Sequence, residues 1–375
     1  MKTAQLTICL ILASSLLVIF PLTSGSLMAR SPLAEQLSIR DIYGVTIQGE
    51  RAYLAGLTGL AIVDLTDETQ PRVVREFPRP VENLWVEVEG GLLYVGARDG
   101  LHIFHLRGED DLKEMSRLAI ERVRAFAQVG PWVYVLGRLP GSRVDQLLAV
   151  DLSSSTTPQV RGSHPIRSIV PDGFGISDDL AVVFSRSSDG VELVEIRSGY
   201  QFVNISRKRL PGSPSIGAIA LDQRRLYVAA NRSVRMFDVT NGSLREAGDC
   251  LECYQGTVTY LEVAENLLLV SGVGLRVRDM GELLIYDLTN LRQPIGSHTL
   301  NHPANANYPV EVEVVGSRVY LGEGWPLWWA AYSWFNQPVV NAGFRIIDIT
   351  DPSAPHVVSY LPAGRSCASD VCRRQ

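Results

Sequence analysis

The residue types best suited to chemistry are acids that recur at the end of an apolar run: Asp64, Asp151, Glu195, Asp238, Asp287 and Asp348, often followed two residues on by Thr and then Asp or Asn. A set of carboxylates suggests calcium, which takes roughly six to eight oxygen ligands. The same spelling also closes a tight turn, because an Asp side chain accepts hydrogen bonds from backbone N–H groups two residues on. The turn accounts for every copy, whereas a metal would need several further ligands at each, so no metal site is expected. Arginines form a second set: Arg98, Arg143, Arg276 and Arg278, with Arg122, Arg124 and Arg232 in comparable segments, interleaved with Asp99, Asp145 and Asp279. A planar guanidinium grips carboxylate or sulfate groups bidentately. Mixed-sign charges on polar turns are equally an ordinary surface.

The third concentration is aromatic. The stretch 325–338, WPLWWAAYSWFNQP, holds Trp325, Trp328, Trp329, Tyr332, Trp334 and Phe335, including four of the six tryptophans of the chain. Loops are normally polar because their backbone is solvated, so this loop has three readings. It folds over the mouth of a ring as a plug, stacks on a ligand such as a sugar or peptide, or dips into a membrane interface. His298 and His302 have ligand spacing for a helix face, but Pro303 and the absence of a third ligand argue against a metal. Cys250, Cys253, Cys367 and Cys372 are even in number, as expected of disulfides outside the cytosol. Pairing within each local pair is preferred; pairing between them, a four-thiolate zinc site or a redox pair at Cys250 and Cys253 are the alternatives. Nucleophile elbows, phosphate loops, dinucleotide fingerprints and HExxH are absent, so no catalytic residue and no cofactor is expected.

The elements that must position these residues are strands. With 46% hydrophobic and 20% charged residues, 32 Gly and 20 Pro, the composition is globular and rich in turns. Apolar runs are short and alternating or continuous, without sustained helical periodicity. The expected class is all-β.

At the N-terminus, Lys2 precedes an unbroken apolar run from Leu6 to Phe20, then Pro21 and a small polar stretch. That is the layout of a secretory signal peptide over residues 1–29, with cleavage near Gly25 or Ala29. An uncleaved anchor is the alternative, although the run is short of the roughly 20 residues of a comfortable span. Membrane contact is expected only through that segment, if retained. The expected location is secreted, periplasmic or cell-surface. The net charge of −5, one unit more negative without Lys2, argues against nucleic acid as a partner.

Repetition decides the architecture. A cassette of apolar strand, turn, Tyr-bearing strand, turn, and apolar strand ending in an acid runs from Gly44 and returns from Leu84, Ala125, Gly173, Ala218, Tyr260 and Val310. It places Tyr53, Tyr94, Tyr134, Val182, Tyr227, Leu268 and Tyr320 in register at gaps of about 40 to 52 residues, the length of a four-stranded propeller blade. A single such sheet is apolar on both faces, and closing seven into a ring leaves none exposed. The expectation is a seven-bladed β-propeller of four-stranded antiparallel blades over 42–362, after a lead-in at 30–41 and before a tail at 363–375.

The segments 59–71, GLAIVDLTDETQP, and 343–355, GFRIIDITDPSAP, resemble the LVIVD repeat of bacterial and archaeal cell-surface proteins. The resemblance implies a propeller at the cell surface and no particular activity. It also implies that ligands sit on the face where the turns between second and third strands meet the connections between blades. Arg98, Arg143, Arg276 and Arg278 fall in those turns, and the Trp325–Phe335 insertion belongs to the seventh copy. The reading is a non-enzymatic scaffold that binds a glycan, peptide or protein partner there. The alternative is a hydrolase or lyase for an acidic polymer or lactone-like substrate, which requires at least two titratable groups converging on the central channel.

Overall fold

A computed structural model of the chain describes residues 36–363, except 80–81, 109, 155–156, 167–170, 178, 186–189, 211–215, 231, 241, 251–255, 277–279, 303–304, 307–308, 325–341. The described residues form seven four-stranded antiparallel sheets, spanning 42–78, 83–119, 121–165, 173–209, 216–250, 257–299 and 309–362, here blades 1 to 7. Within each sheet the strands follow chain order from the inside outwards. The first strands, beginning with Ile42–Gln48 of blade 1 and ending with Pro309–Val315 of blade 7, pack side by side around the axis. Blade 7 meets blade 1, so the ring is closed and no sheet has a naked face. A small hairpin, Asn301–His302 with Asn305–Ala306, lies between blades 6 and 7 in sequence.

The second and third strands are nearly continuous runs of buried Val, Leu, Ile and Ala, such as Leu180–Phe184 and Gly59–Asp64. They have to be, since each is covered on both faces by neighbouring blades. Outer strands such as Leu112–Ala119 alternate exposed and half-buried residues, because one side faces solvent. Each fully buried Leu, Ile or Val contributes about 1.5–3 kcal/mol by leaving water, and the contacts form one apolar cluster per inter-blade space.

The second-strand tyrosines link blades. Tyr134 donates from blade 3 to the carbonyl of Gly199 in blade 4 at 2.8 Å, and Tyr320 donates from blade 7 to Glu68 of blade 1 at 2.7 Å. The expected register holds in six copies. In blade 6, Leu267 faces Asp287, so the equivalent of Tyr53, which lies two residues past the partner of Asp64, is Leu269 and not Leu268. Blade 4, the weakest copy in sequence, has all four strands.

Closure uses no exchanged strand, as blades 1 and 7 are each built from one contiguous segment. Instead the lead-in docks between the outer strands of blades 7 and 1: Leu37 N–H donates to Pro362 O of blade 7 at 2.8 Å, and the Ser38 and Ile39 amides donate to Glu76 of blade 1. Leu37 and Ile39 are buried with Phe344, Ile346 and Leu361. Glu195 pairs with Arg197 at 3.1 Å and Asp238 with Arg225 at 3.7 Å, which the turn reading does not cover. The other four recurring acids act in turns: Asp64 accepts from the Thr66 amide and hydroxyl, Asp151 from the Ser153 amide, Asp287 from the amide and hydroxyl of Thr289, and Asp348 from the Thr350 amide, all within 2.8 Å. These bonds hold the carboxyls below their ordinary range.

Candidate ligand channel

The seven first strands enclose a cavity of about 1340 Å³ along the ring axis. All seven start at the face that also carries the turns between second and third strands, which makes that face a mouth. Arg98, in the turn after Leu92–Ala97, lines it and pairs with Glu82 at 2.5 Å. Arg232 lines it from the equivalent turn of blade 5. Arg124, near the start of Glu121–Val129, lines it with its side chain about three-quarters buried. Its nearest carboxylate oxygens, on Asp145 and Asp172, both stand 3.9 Å away, and its Nε has no partner. Asp145 is instead held by Arg138 at 2.8 Å. A guanidinium in a cavity wall whose two carboxylate neighbours stand at 3.9 Å and whose Nε is unpartnered keeps donors that can reach an anion.

Further in, the wall changes sign. Glu87, Glu262 and Glu313 occupy one register position, opposite Tyr94, Leu269 and Tyr320 of their own blades. Glu311 lies two residues nearer the mouth and accepts from the Tyr260 hydroxyl at 3.4 Å. Thr46 of blade 1, in the same register, donates to Glu87 at 3.5 Å. Burial and the neighbouring Glu313 push Glu262 up to about 8. Burial and Glu87 push Glu313 up to about 7, and burial with three nearby glutamates pushes Glu311 well up. In blades 3, 4 and 5 the same register position holds Ala127, Gly175 and Ala220. The channel is therefore acidic along one arc and built of small residues along the other. Trp85 and Phe126 stack between blades 2 and 3 on its wall, ring centroids 5.6 Å apart.

Of the residues expected at a ligand site, Arg98 lies on the cavity wall. Arg143 is exposed in the loop after Trp132–Arg138 and does not line it. Arg276 also lies off the wall; its amide donates to Glu282 at 2.6 Å and its side chain to Ser297 at 3.3 Å. Arg278 and the aromatics Trp325, Trp328, Trp329, Tyr332 and Trp334 fall outside the described residues, as do Cys253, Cys367 and Cys372. Cys250 ends the last strand of blade 5, and its side chain is not described. The acids of the channel were not anticipated. The signal for them was present in the alternation of Glu with Val or Leu at 85–89, 260–263 and 310–314, all in first strands.

The LVIVD repeat model matches residues 39–77 and 339–361, which are blade 1 with its lead-in and the third and fourth strands of blade 7. This chain is a seven-bladed β-propeller that carries LVIVD repeats. The LVIVD-repeat propeller is similar over 84% of its length to 92% of a hypothetical selenium-binding protein from Sulfolobus tokodaii, with a TM-score of 0.58 and 13% identity. It is similar to the computationally designed Ika8 protein over 89% of this chain and 91% of that one, at a TM-score of 0.55 and 13% identity. It also resembles dihydro-heme d1 dehydrogenase NirN, over 88% of this chain and 68% of that one, at a TM-score of 0.53 and 16% identity. At such identities the likeness is one of fold. No curated protein matches the sequence of the LVIVD-repeat propeller.

Proposed function

We propose that this propeller is an exported, non-catalytic binding scaffold that takes a glycan, peptide or protein partner at the channel mouth. The observation that carries the reading is Arg124: an arginine on the cavity wall, its Nε unpartnered, with no carboxylate closer than 3.9 Å. Arg98 and Arg232 flank the same mouth, so the ligand group recognised there is a carboxylate, sulfate or phosphate. The apolar run from Leu6 to Phe20 supports export to a secreted, periplasmic or cell-surface location, and the aromatic insertion from Trp325, which falls within the seventh copy in sequence, offers residue types suited to stacking. The test is an array of acidic and neutral glycans and peptides probed with the mature protein and with Arg124→Ala and Trp328→Ala/Trp329→Ala variants. Binding of acidic members that Arg124→Ala removes supports the reading. Binding indifferent to both sets of substitutions overturns it.

A second reading has its own observation. Glu262 and Glu313, with acidities near neutrality in one cavity, have the tuning of a general acid and base, as a hydrolase or lyase of an acidic polymer or lactone requires. Turnover of such substrates that Glu262→Gln or Glu313→Gln abolishes would replace the scaffold reading.

A further inference from the structure

The inner channel carries half-buried acids without counter-ions. Glu262 and Glu313 make no hydrogen bond or ion pair among the described residues, Glu311 has only the long contact to Tyr260, and Glu87 has the long contact to Thr46 and the Val88 amide. The basic residues that line the cavity are Arg98, Arg124 and Arg232, all at the mouth. The other titratable groups facing the acids from the packed first strands are Tyr260, Tyr43 and, at the far lip, Asp222, none of them a cation. On blade 3, Gln128 lines the same cavity, and its carbonyl oxygen is buried with no donor. Carboxyls and an amide oxygen that lack donors in a cavity call for a ligand that brings N–H groups.

The opposite arc says what that ligand is attached to. At the level of the glutamates blades 3, 4 and 5 offer Ala127, Gly175 and Ala220, and one step towards the mouth Ala125, Gly173 and Ala218. Two tiers of small residues in three adjacent blades leave an apolar recess facing two tiers of larger polar ones, Trp85, Tyr260 and Glu311 above Glu87, Glu262 and Glu313. An inorganic ion would use the acids and leave the recess empty. A hydrocarbon would fill the recess and leave the acids unpaired.

We propose that the inner channel receives an alkylammonium or alkylguanidinium group, its cation held by Glu87, Glu262 and Glu313 and its chain lying along Ala127, Gly175 and Ala220. The inference rests on the reading of the channel as the binding site and adds that the ligand's inner end is cationic. A free amine and a lysine or arginine side chain of a peptide share this chemistry. Because the acids hold protons near neutrality, binding the cation displaces them, and affinity rises with pH.

Titration calorimetry with hexylamine, methylamine and hexanol at about pH 6 and 9 tests this, since the amines stay charged across that range. Hexylamine is expected to bind at least about ten-fold more tightly than either analogue, more tightly at the higher pH, and with proton release at pH 6 seen as a dependence of heat on buffer. Glu262→Gln/Glu313→Gln reduces the pH dependence, and Ala220→Leu weakens hexylamine without altering proton release per mole bound. Equal binding of hexanol and hexylamine, or pH-independent binding, overturns the proposal. A blocked pentapeptide with one central lysine separates the sources: tighter binding than hexylamine marks a peptide ligand, weaker binding a free amine. Arg124→Ala removes acidic ligands without weakening hexylamine binding, so failure at the mouth and failure in the inner channel are distinguishable.

Discussion

The phenol of Tyr320 donates to the Glu68 carboxylate at 2.7 Å across the seam where blade 7 meets blade 1, and Arg318 reaches the same carboxylate at 2.7 Å. Tyr134 makes the corresponding reach from blade 3 to the turn of blade 4. The seam that closes the ring therefore uses the same device as an interior joint, with a charge added. Tyr320→Phe is expected to cost about 1–2 kcal/mol, because the bond is charge-assisted. Leu37→Ala, which empties the core of the seam, is expected to cost about 2–5 kcal/mol. Urea unfolding followed by circular dichroism measures both.

Gly296, in the last strand of blade 6, lies where a Cβ would stand 1.9 Å from the carbonyl oxygen of Pro352 in blade 7. Gly162 of blade 3 meets Tyr200 of blade 4 in the same way, also at 1.9 Å. In both cases an outer strand touches the next blade's final turn through bare backbone. Gly296→Ala must push the blades apart and is expected to destabilise by about 1–3 kcal/mol, the usual range for overpacking. The same substitution at Gly316, where nothing lies within 4 Å, is opposed only by the positive φ of 58° and should cost less. Thermal melting of the two variants gives the comparison.

Glu323 and Arg345 form a buried pair in blade 7, with nitrogen to oxygen distances of 2.5 and 3.3 Å and the guanidinium over the ring of Tyr360. Glu323 is fully buried, so Glu323→Ala strands a charge and is expected to cost about 3–5 kcal/mol. The double substitution Glu323→Leu/Arg345→Met should recover most of that loss. A double-mutant cycle read by chemical denaturation checks it.

Two sets of carboxyls predict how stability varies with pH. The channel acids Glu262 and Glu313 have folded values raised to about 8 and about 7, so their contribution is fully present below their unfolded values and is lost as pH rises through the folded ones. The turn acids Asp64, Asp287 and Asp348 have lowered values, so their contribution is present above the unfolded value of 3.8 and is lost as pH falls through the folded one. Tm is therefore expected to peak near pH 5 and to decline on both sides. Glu262→Gln/Glu313→Gln should flatten the alkaline limb and leave the acid limb unchanged, as differential scanning fluorimetry across a pH series would show.

The blades were legible because the second-strand tyrosines and the acid-closed turns repeat locally, each within about 40 to 52 residues. The slip from Leu269 to Leu268 arose where an apolar run, Leu267 to Val270, offers no polar marker to fix the register. The closing seam was illegible, since Leu37 and Pro362 are separated by almost the whole ring. So was the charge of the channel. Glu87 and Glu313 each read as the polar position of an alternating strand, and only closure brings blades 2, 6 and 7 to one arc. Arg98 reaches the cavity wall from its short turn, whereas Arg143 sits on a longer loop that carries it off the wall.

Because every blade is one uninterrupted stretch and Gln36 hydrogen-bonds Ala363, the ring has no structurally privileged first blade. A short tether between those two residues and a cut in any exposed connection between blades would give a rearranged chain with the same seven sheets and the same channel. Order around the circle, and not position along the chain, is what the architecture preserves.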